Sequence, residues 1–300
     1  MNSNARLYFV HARSPLHAGT GQGVGVIDLP IAREKATGIP YVPGSSIKGV
    51  LRDRCRGDAT NKKNTHHIFG PEGENASDHA GSVVIGDAHL LLLPVRSLAG
   101  TFAWVTSPYL LQRMQRAADD VGDKSVPSVV PTPIWDDDKI ECVVTERSLL
   151  RMENGRKVYL EDLDLDVVIS TEATEWAKWI AKHLWASGSK WEAEILGRIC
   201  IVPDDVYTFL LDTATEVIAR IAMDDKSKTV KQGGLWYEEA LPTESVLVGL
   251  SLATEVKANA ETVFSTLESL TSTTMQLGGK ATIGRGLCRV HFKQPVTETK

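Results

Sequence analysis

The alternation of apolar and polar residues predicts most of the elements of this chain. Strand-like runs cover residues 6–13, 82–95, 101–105, 156–169, 244–254 and 281–292. Helical spacing covers residues 44–57, 107–121 and 171–186, a segment after Pro203 that carries Val206, Phe209, Leu210, Val217 and Ile221, and residues 258–270. This order of strand, helix, strands, helices, strand, helix and strand predicts an α+β fold with ferredoxin-like βαββαβ character and inserted loops.

The first predicted helix has an apolar stripe and a basic stripe. Its boundaries are Pro43-Gly44 before it, with Ser45 or Ser46 as a cap, and Gly57 at its end. Three apolar residues recur every four positions and a cation follows each of them: Ile47, Leu51 and Cys55, then Lys48, Arg52 and Arg56. The basic stripe is either a solvated face or a binding surface for a phosphate backbone, and the pattern leaves both open.

Two glycine-rich segments lie near the two ends of the chain. Gly19, Gly21, Gly23 and Gly25 alternate near the N-terminus, and a later run, "LGGKATIGRG", includes Lys280 and Arg285. Neither segment has the spacing of a dinucleotide fingerprint or of a phosphate-binding loop that precedes a helix. They are either plain turns or places where the backbone approaches a polymer closely.

Asp28 lies among apolar residues in "GVIDLPI". Such a carboxylate either accepts hydrogen bonds from loop N–H groups or holds a divalent cation, because hard cations prefer oxygen ligands. His17, eleven residues earlier, is the nearest candidate acid or base.

Two further segments stand out by composition. Residues 58–81 are polar and glycine-containing, which predicts a flexible surface insertion. Residues 222–240 combine three lysines with Trp236, Tyr237 and Glu238, which predicts an exposed hairpin. In a nucleic-acid complex its lysines would lie near phosphates and its apolar tip between bases.

Composition narrows the class of protein. The chain has 300 residues, 42% of them hydrophobic, and a net charge of −5, which argues mildly against general nucleic-acid binding without excluding a local basic groove. No apolar run is long enough to suggest a membrane span, and the four cysteines are scattered. We therefore expect a cytoplasmic protein with no membrane partner.

Several stretches taken together resemble one family. "SPLHAGTGQGVGVIDLPIAREKATGIPYVPGSSIKGVLR", "GGLWYEEALPTESV" and "LGGKATIGRGLCRV" are similar to the RAMP superfamily, and within it to the repeating backbone subunit of type III-B (Cmr) CRISPR effector complexes. The resemblance covers nearly the whole chain. It implies a single domain over residues 1–300, with an RRM-like palm, a helical finger region and a thumb hairpin at 222–240.

The resemblance also implies a function and its residues. Copies of the chain would stack along a CRISPR guide RNA beside the other subunits and cut the target RNA every six nucleotides. Asp28 matches the catalytic aspartate and would hold the divalent metal, Mg²⁺ or Mn²⁺, while His17 and Glu238 match residues near the scissile site. A tyrosine that follows in the family is replaced here by Ala240, with Tyr237 close by.

The remaining implied contacts are with RNA: Lys48, Arg52, Arg56, Lys280 and Arg285 on the guide backbone, and Trp236 in the thumb. Two alternatives stay open: a related type III scaffold that binds RNA without cutting it, including a type III-A subunit, and a small-molecule enzyme whose glycine loop holds a nucleotide. The second is disfavoured because neither nucleotide fingerprint fits.

Overall fold

A computed structural model describes residues 4–21, 27–72, 77–136, 138–185 and 189–293 of the chain. Most of its strands form one twelve-stranded mixed sheet. These strands are β1 (Ala5–Ala12), β2 (Tyr41–Val42), β3 (Val83–Ile85), β4 (Ala88–Arg96), β5 (Phe102–Thr106), β6 (Glu141–Val144), β7 (Lys157–Leu160), β8 (Leu163–Ile169), β9 (Ile199–Ile201), β12 (Val246–Ala253), β13 (Met275–Gln276) and β14 (Leu287–Lys293). A separate two-stranded sheet pairs β10 (Glu216–Met223) with β11 (Val230–Ala240).

The described residues contain the five predicted helices and two further ones. They are α1 (Gly44–Gly57), α2 (Thr65–Phe69), α3 (Pro108–Val121), α4 (Thr171–Leu184), α5 (Lys190–Arg198), α6 (Asp204–Thr213) and α7 (Ala260–Leu270), of which α2 and α5 are the further ones. Short 3₁₀ turns cover Lys62–Asn64 and Ala281–Ile283. The α1 bounds agree with the prediction, because a proline and a glycine delimit the segment on either side.

The ferredoxin-like core predicted from the element order is confirmed. The central strands lie in the order β14-β1-β12-β4, all antiparallel to their neighbours. With α1 between β1 and β4, and α7 between β12 and β14, this is the βαββαβ arrangement. The strands β5 to β11 and the helices α3 to α6 are inserted between β4 and β12.

Both faces of the core sheet are covered. Alternate β1 residues point to opposite faces: Tyr8 stacks on Phe292 on the face covered by α1 and α7, and Phe9 contacts Trp179 of α4 on the other. Among the described residues, the largest fully buried side chain is Trp176 of α4, so this tryptophan is a packing residue.

The hairpin of β10 and β11 corrects one prediction. We predict Val217 and Ile221 on the helix that follows Pro203, but that helix ends at Thr213 and both residues lie on β10. Their four-residue spacing fits a helix and a strand face equally well, so periodicity alone cannot choose between them. The hairpin is consequently longer than 222–240 and begins at Glu216.

The segment 58–81 also differs from its prediction. Helix α2 lies inside it, and Ile68 and Phe69 are buried in the core. The insertion is therefore shorter than 58–81, because the apolar pair in "HHIF" packs against the domain. At the start of α1 no serine caps the helix, and the N–H of Gly44 instead donates to Asp87 Oδ1 at 2.7 Å.

Within the described ranges, no helix is long and apolar enough to cross a membrane.

Candidate functional site

The site is built where the Asp28 segment pairs with the base of the hairpin. The N–H of Leu29 donates to Tyr237 O, and the N–H of Glu239 donates to Leu29 O, both at 3.0 Å. Beside this ladder, the N–H of Tyr237 donates to Asp28 Oδ2 at 2.8 Å. The carboxylate of Asp28 is exposed and oriented by a backbone group of the hairpin rather than by its own loop. Of the glycines before it, Gly23 and Gly25 lie outside the described residues.

His17 is buried next to the same strand. Its Nδ1 is 2.7 Å from Glu239 O, and because a carbonyl oxygen only accepts, Nδ1 carries the proton in this contact. In the neutral ring Nε2 then keeps its lone pair and can accept a proton. His17 and Asp28 are thus positioned by neighbouring backbone groups of β11, at Glu239 and Tyr237.

Close glycine contacts fix the position of His17. A Cβ on Gly19 would lie 2.6 Å from His17 Nε2, and a Cβ on Gly278 would lie 2.3 Å from His17 O. The N–H of Gly279 donates to the same oxygen at 2.8 Å. The two glycine-rich segments therefore meet around His17, where any side chain would displace it.

A buried ion pair ties the Asp28 segment to the hairpin. Glu239 is 3% exposed and accepts from Arg33 Nη2 at 2.7 Å, from the N–H of Ile31 at 3.0 Å and from Thr215 Oγ1 at 3.1 Å. Arg33 also donates to the carbonyls of Gly38 and Leu211. The carboxylate of Glu239, on β11, thereby joins the segment after Asp28 to Thr215, the residue that precedes β10.

Glu238 is held by cations rather than left free. Its carboxylate accepts from Trp236 Nε1 at 2.8 Å and forms ion pairs with Lys280 Nζ at 2.9 Å and Arg220 Nε at 3.4 Å. Burial by itself raises the pKa of Glu238, but the hydrogen bonds from Trp236 and Lys280 and the two positive charges outweigh it and lower the pKa to about 2. At neutral pH Glu238 is ionised and cannot serve as a general acid.

Arg285 has unused hydrogen-bonding capacity. Its side chain is 5% exposed, and among the described residues its Nε and Nη1 have no hydrogen-bond partner. The Glu216 carboxylate oxygen is 3.9 Å from Nη1, too far for a hydrogen bond. A buried guanidinium with unpaired donors is an unfavourable arrangement that an anionic oxygen acceptor would relieve.

The basic stripe of α1 makes contacts within the protein. Lys48 Nζ donates to Val83 O at 3.0 Å, and Arg52 Nη2 donates to Gly70 O at 2.8 Å. Glu72 pairs with both Arg52 and Arg56 at 2.7 Å. The stripe therefore anchors the chain that follows α2, and its free positive charge is smaller than the sequence suggests.

The hairpin presents apolar side chains along its strands rather than at its tip. Exposed apolar residues line both strands: Val217, Ile218, Ile221, Met223, Val230, Leu235 and Tyr237. The connecting turn, residues 224–229, is polar. Trp236 lies opposite Arg220 and is only partly exposed, so the prediction of an apolar tip is wrong, although the exposed strands keep the same capacity to contact bases.

The structure brings Asp28, His17, Glu238, Lys280 and Trp236 to one region, joined through β11. Lys48, Arg52 and Arg56 lie on α1, outside this hydrogen-bonded cluster. Sequence reasoning missed the supporting residues Arg33, Glu239 and Arg220. Arg33 and Glu239 are 206 positions apart, and Arg220 meets Glu238 only through the pairing of β10 with β11, so no local motif marks either pair. The adjacent acids in "YEEA" were the one available signal for Glu239.

Comparison with known proteins identifies the class. A family model described as the RAMP superfamily matches residues 9–289. The chain therefore belongs to the RAMP superfamily. It is 34% identical over 294 residues to the CRISPR system Cmr endoribonuclease Cmr4 of Pyrococcus furiosus. The matched region covers 97% of this chain and 96% of that relative. Within the superfamily this identity groups the chain with Cmr4, and the resemblance predicted from the motifs is confirmed.

Solved structures agree with this assignment. The crystal structure of oligomeric Cmr4 from Pyrococcus furiosus superimposes with a TM-score of 0.76 at 28% identity, covering 98% of this chain and all of that one. A chain of the type III-B Cmr-beta complex bound to cognate target RNA gives a TM-score of 0.73 at 20% identity, covering 96% of each chain. This second likeness concerns the fold alone.

Proposed function

We propose that this chain is the backbone subunit of a type III-B CRISPR effector complex, in which copies polymerise along the guide RNA and cut complementary target RNA every six nucleotides. The observation that carries the proposal is the exposed Asp28 carboxylate, which a backbone N–H of the hairpin orients next to exposed Tyr237. The relative at 34% identity is named a Cmr endoribonuclease, and the oligomer of a similar chain supports self-assembly.

The proposed chemistry is attack of an RNA 2′-oxygen on the adjacent phosphorus, which forms a 2′,3′-cyclic phosphate as the bond to the 5′-oxygen of the next nucleotide breaks and that oxygen leaves with a proton. This reaction requires alignment of the attacking oxygen, removal of its proton and stabilisation of developing charge. In this proposal the hairpin displaces a base and so aligns the attacking oxygen, and Asp28 acts at the scissile phosphate. His17 Nε2 is the candidate proton acceptor, since Nδ1 is held by Glu239 O. Glu238 acts as the anchor for Lys280 and Arg220 rather than as an acid, since its pKa is about 2.

The described residues do not build a resident metal site. No group of three or more His, Cys, Asp or Glu side chains among them could hold an ion, and the Glu238 carboxylate is already paired with two cations. Asp28 alone fits the mode in which Mg²⁺ is shared between one carboxylate, water and phosphate oxygens of a substrate. We therefore propose that Mg²⁺ or Mn²⁺ joins Asp28 only when RNA is present, where it would supply positive charge at the phosphate.

The proposed guide contacts differ in strength. Arg285 is favoured because its buried donors lack a partner among the described residues. Lys280 is one-third exposed and keeps two N–H donors beyond its pairing with Glu238. Lys48, Arg52 and Arg56 must exchange or share internal partners to reach a phosphate, so we assign them a secondary role. Action on intracellular RNA implies a cytoplasmic location, which suits the four free, buried cysteines.

The experiment that tests this function is cleavage by the assembled complex. The chain is co-expressed with its guide RNA and partner subunits, and an end-labelled complementary RNA is added with Mg²⁺, with Mn²⁺ or with EDTA. The proposal predicts a ladder with six-nucleotide steps that EDTA abolishes. Assembly and target binding without any cut would favour the non-catalytic scaffold instead, and irregular spacing would contradict the backbone arrangement.

A further inference from the structure

An open cleft of about 520 Å³ lies beside β14, on the sheet face that α4 covers. We call it the β14 cleft. The charged, titratable and aromatic residues that line it are His11, Arg13, Trp185, Trp191, Arg289 and His291. His11 and Arg289 are paired across β1 and β14, so they point to the same face. None of these residues takes part in the candidate site described above.

The cleft carries an excess of positive charge. Among the described residues, the lining contains no carboxylate and Arg289 forms no ion pair; its Nη1 donates to the carbonyl of Ser272. The nearby Glu244 is committed to His11 at 2.6 Å and lies 3.9 Å from Arg13. An anion that enters the cleft would therefore meet two arginines whose charge is poorly compensated.

The lowered pKa of His291 agrees with an excess of positive charge in the cleft. Burial, and then the positive charges of Lys293, Arg289 and His11, lower the pKa of His291 to about 4. Burial is the largest cause and does not itself indicate an anion site, but the contributions of Lys293, Arg289 and His11 agree with the positive charge that the geometry of the cleft shows.

Aromatic rings supply the other half of the site. Trp185 is fixed between His11 at 5.7 Å and Trp104 at 6.1 Å between ring centroids. Trp191 is 42% exposed, and its ring lies 6.0 Å from the guanidinium carbon of Arg13 and 5.1 Å from Lys190 Nζ. An exposed indole flanked by cations can stack on a base while the cations hold the neighbouring phosphates.

We infer that the β14 cleft binds a nucleotide of single-stranded RNA, with its base on Trp191 and its phosphate between Arg13 and Arg289. An acidic peptide would use the two arginines but would not need an exposed indole beside them, so the combination favours RNA. The inference rests on the proposed function, which makes RNA the ligand of this chain, and adds a contact away from Asp28. It predicts that the cleft contributes affinity and not cleavage chemistry.

The test measures binding of a fluorescein-labelled ten-nucleotide oligouridylate by anisotropy at several salt concentrations. Arg289→Gln is expected to weaken binding by about fivefold or more and to reduce the salt slope by about one. Trp191→Ala is expected to weaken binding by at least about fivefold with an unchanged salt slope. Matched controls are Arg147→Gln and Trp135→Ala, which alter exposed residues outside the cleft and should leave binding unchanged.

A second measurement uses the unmodified chain and therefore does not depend on the variants folding. A 5-bromouridine-substituted oligonucleotide is photocrosslinked to the unmodified chain, and mass spectrometry is expected to find the adduct on Trp191 or Trp185. Variants that bind like the controls, with the adduct elsewhere, would overturn the inference while leaving the proposed function standing. Failure of the unmodified chain to bind RNA would overturn both. Normal RNA binding combined with loss of self-association in Arg289→Gln would identify the cleft as a protein interface and also overturn the inference.

Discussion

At the scale of single residues, the candidate site depends on a histidine enclosed by glycines. Gly19 and Gly278 leave no room for a side chain beside His17, and its Nδ1 contact with Glu239 O fixes the tautomer. The lone pair of Nε2 therefore faces a space that only glycine can border. This gives Gly19 a steric role that does not depend on its backbone flexibility.

Substitution of Gly19 tests this role. Gly19→Ala adds a Cβ 2.6 Å from His17 Nε2, so the ring must move, and we expect target cleavage by the assembled complex to fall by about 10- to 100-fold. Gly49→Ala, at a helix position with open space around it, is the matched control and should retain full activity. Equal cleavage by both variants would show that the position of His17 is unimportant.

The depressed pKa of Glu238 makes a prediction about acid stability. The pKa is about 2 in the folded chain and 4.5 ordinarily, so the unfolded chain binds the proton more tightly. The stabilisation is fully present above pH 4.5 and is lost as the pH falls towards 2. We expect Glu238→Gln to remove about 1–3 kcal/mol at pH 7 and about two-fifths of that at pH 3, measured by urea denaturation at each pH. The same loss at both pH values would contradict the ion-pair account.

Candidate residues could be found from the sequence where a local motif marks them. Asp28 in "GVIDLPI" and His17 before the glycines were identified this way, and the structure joins both to β11. The hydrogen bonds and ion pairs of Lys48, Arg52 and Arg56 could not be predicted from the sequence. Their partners, Val83, Gly70 and Glu72, come near α1 only when the segment after it folds. A basic stripe in a sequence shows charge but not whether that charge is already paired.

At the scale of elements, the hairpin and the Asp28 segment behave as one unit. Glu239 of β11 accepts hydrogen bonds from Arg33, from the N–H of Ile31 and from Thr215, which joins the segment to β11 and to the residue that precedes β10. A force on the hairpin from bound RNA would consequently be transmitted to Asp28. Orientation of the carboxylate is therefore coupled to the position of the hairpin.

Glu239→Gln tests this coupling. The amide has one acceptor oxygen fewer and places an NH2 group against donors that a carboxylate oxygen now accepts from, so we expect a loss of about 1–3 kcal/mol in local stability. Hydrogen exchange of the amides in residues 29–33 should become about 5- to 100-fold faster, with cleavage reduced in parallel. Glu146→Gln, an exposed glutamate, should change neither quantity. Unchanged exchange in residues 29–33 would contradict the coupling.

Elements with clear boundary signals were predictable and others were not. Helix α1 has the predicted ends because Pro43 and Gly57 delimit it. The pattern predicts a helix where β10 forms, because the spacing of Val217 and Ile221 fits both the helical and the strand period. Helix α5 and the strands β6 and β9 were missed, since β6 and β9 are only four and three residues long and their stability comes from pairing with other strands rather than from local pattern.

At the scale of the whole molecule, an acidic chain is proposed to bind RNA. The net charge is −5, yet Arg285 has unpaired donors, Lys280 borders the candidate site, and Arg13 and Arg289 line the β14 cleft. In the proposed RNA binding, the local positive potential of these residues therefore matters more than the net charge of the chain. The topology itself followed from the order of elements, whereas the long insertion between β4 and β12 could be recognised only once the strands were seen in their sheet.

The central claim is that Asp28 acts in RNA cleavage at the hairpin base, and one measurement tests it most directly. Complexes assembled with the unmodified chain, with Asp28→Ala or with Asp119→Ala, an exposed control on α3, are given an end-labelled complementary RNA, and cuts are mapped at single-nucleotide resolution. We predict that Asp28→Ala assembles and binds target normally but loses cleavage at every six-nucleotide position by about 100-fold or more, whereas Asp119→Ala cuts normally. Undiminished cuts with Asp28→Ala would contradict the assignment.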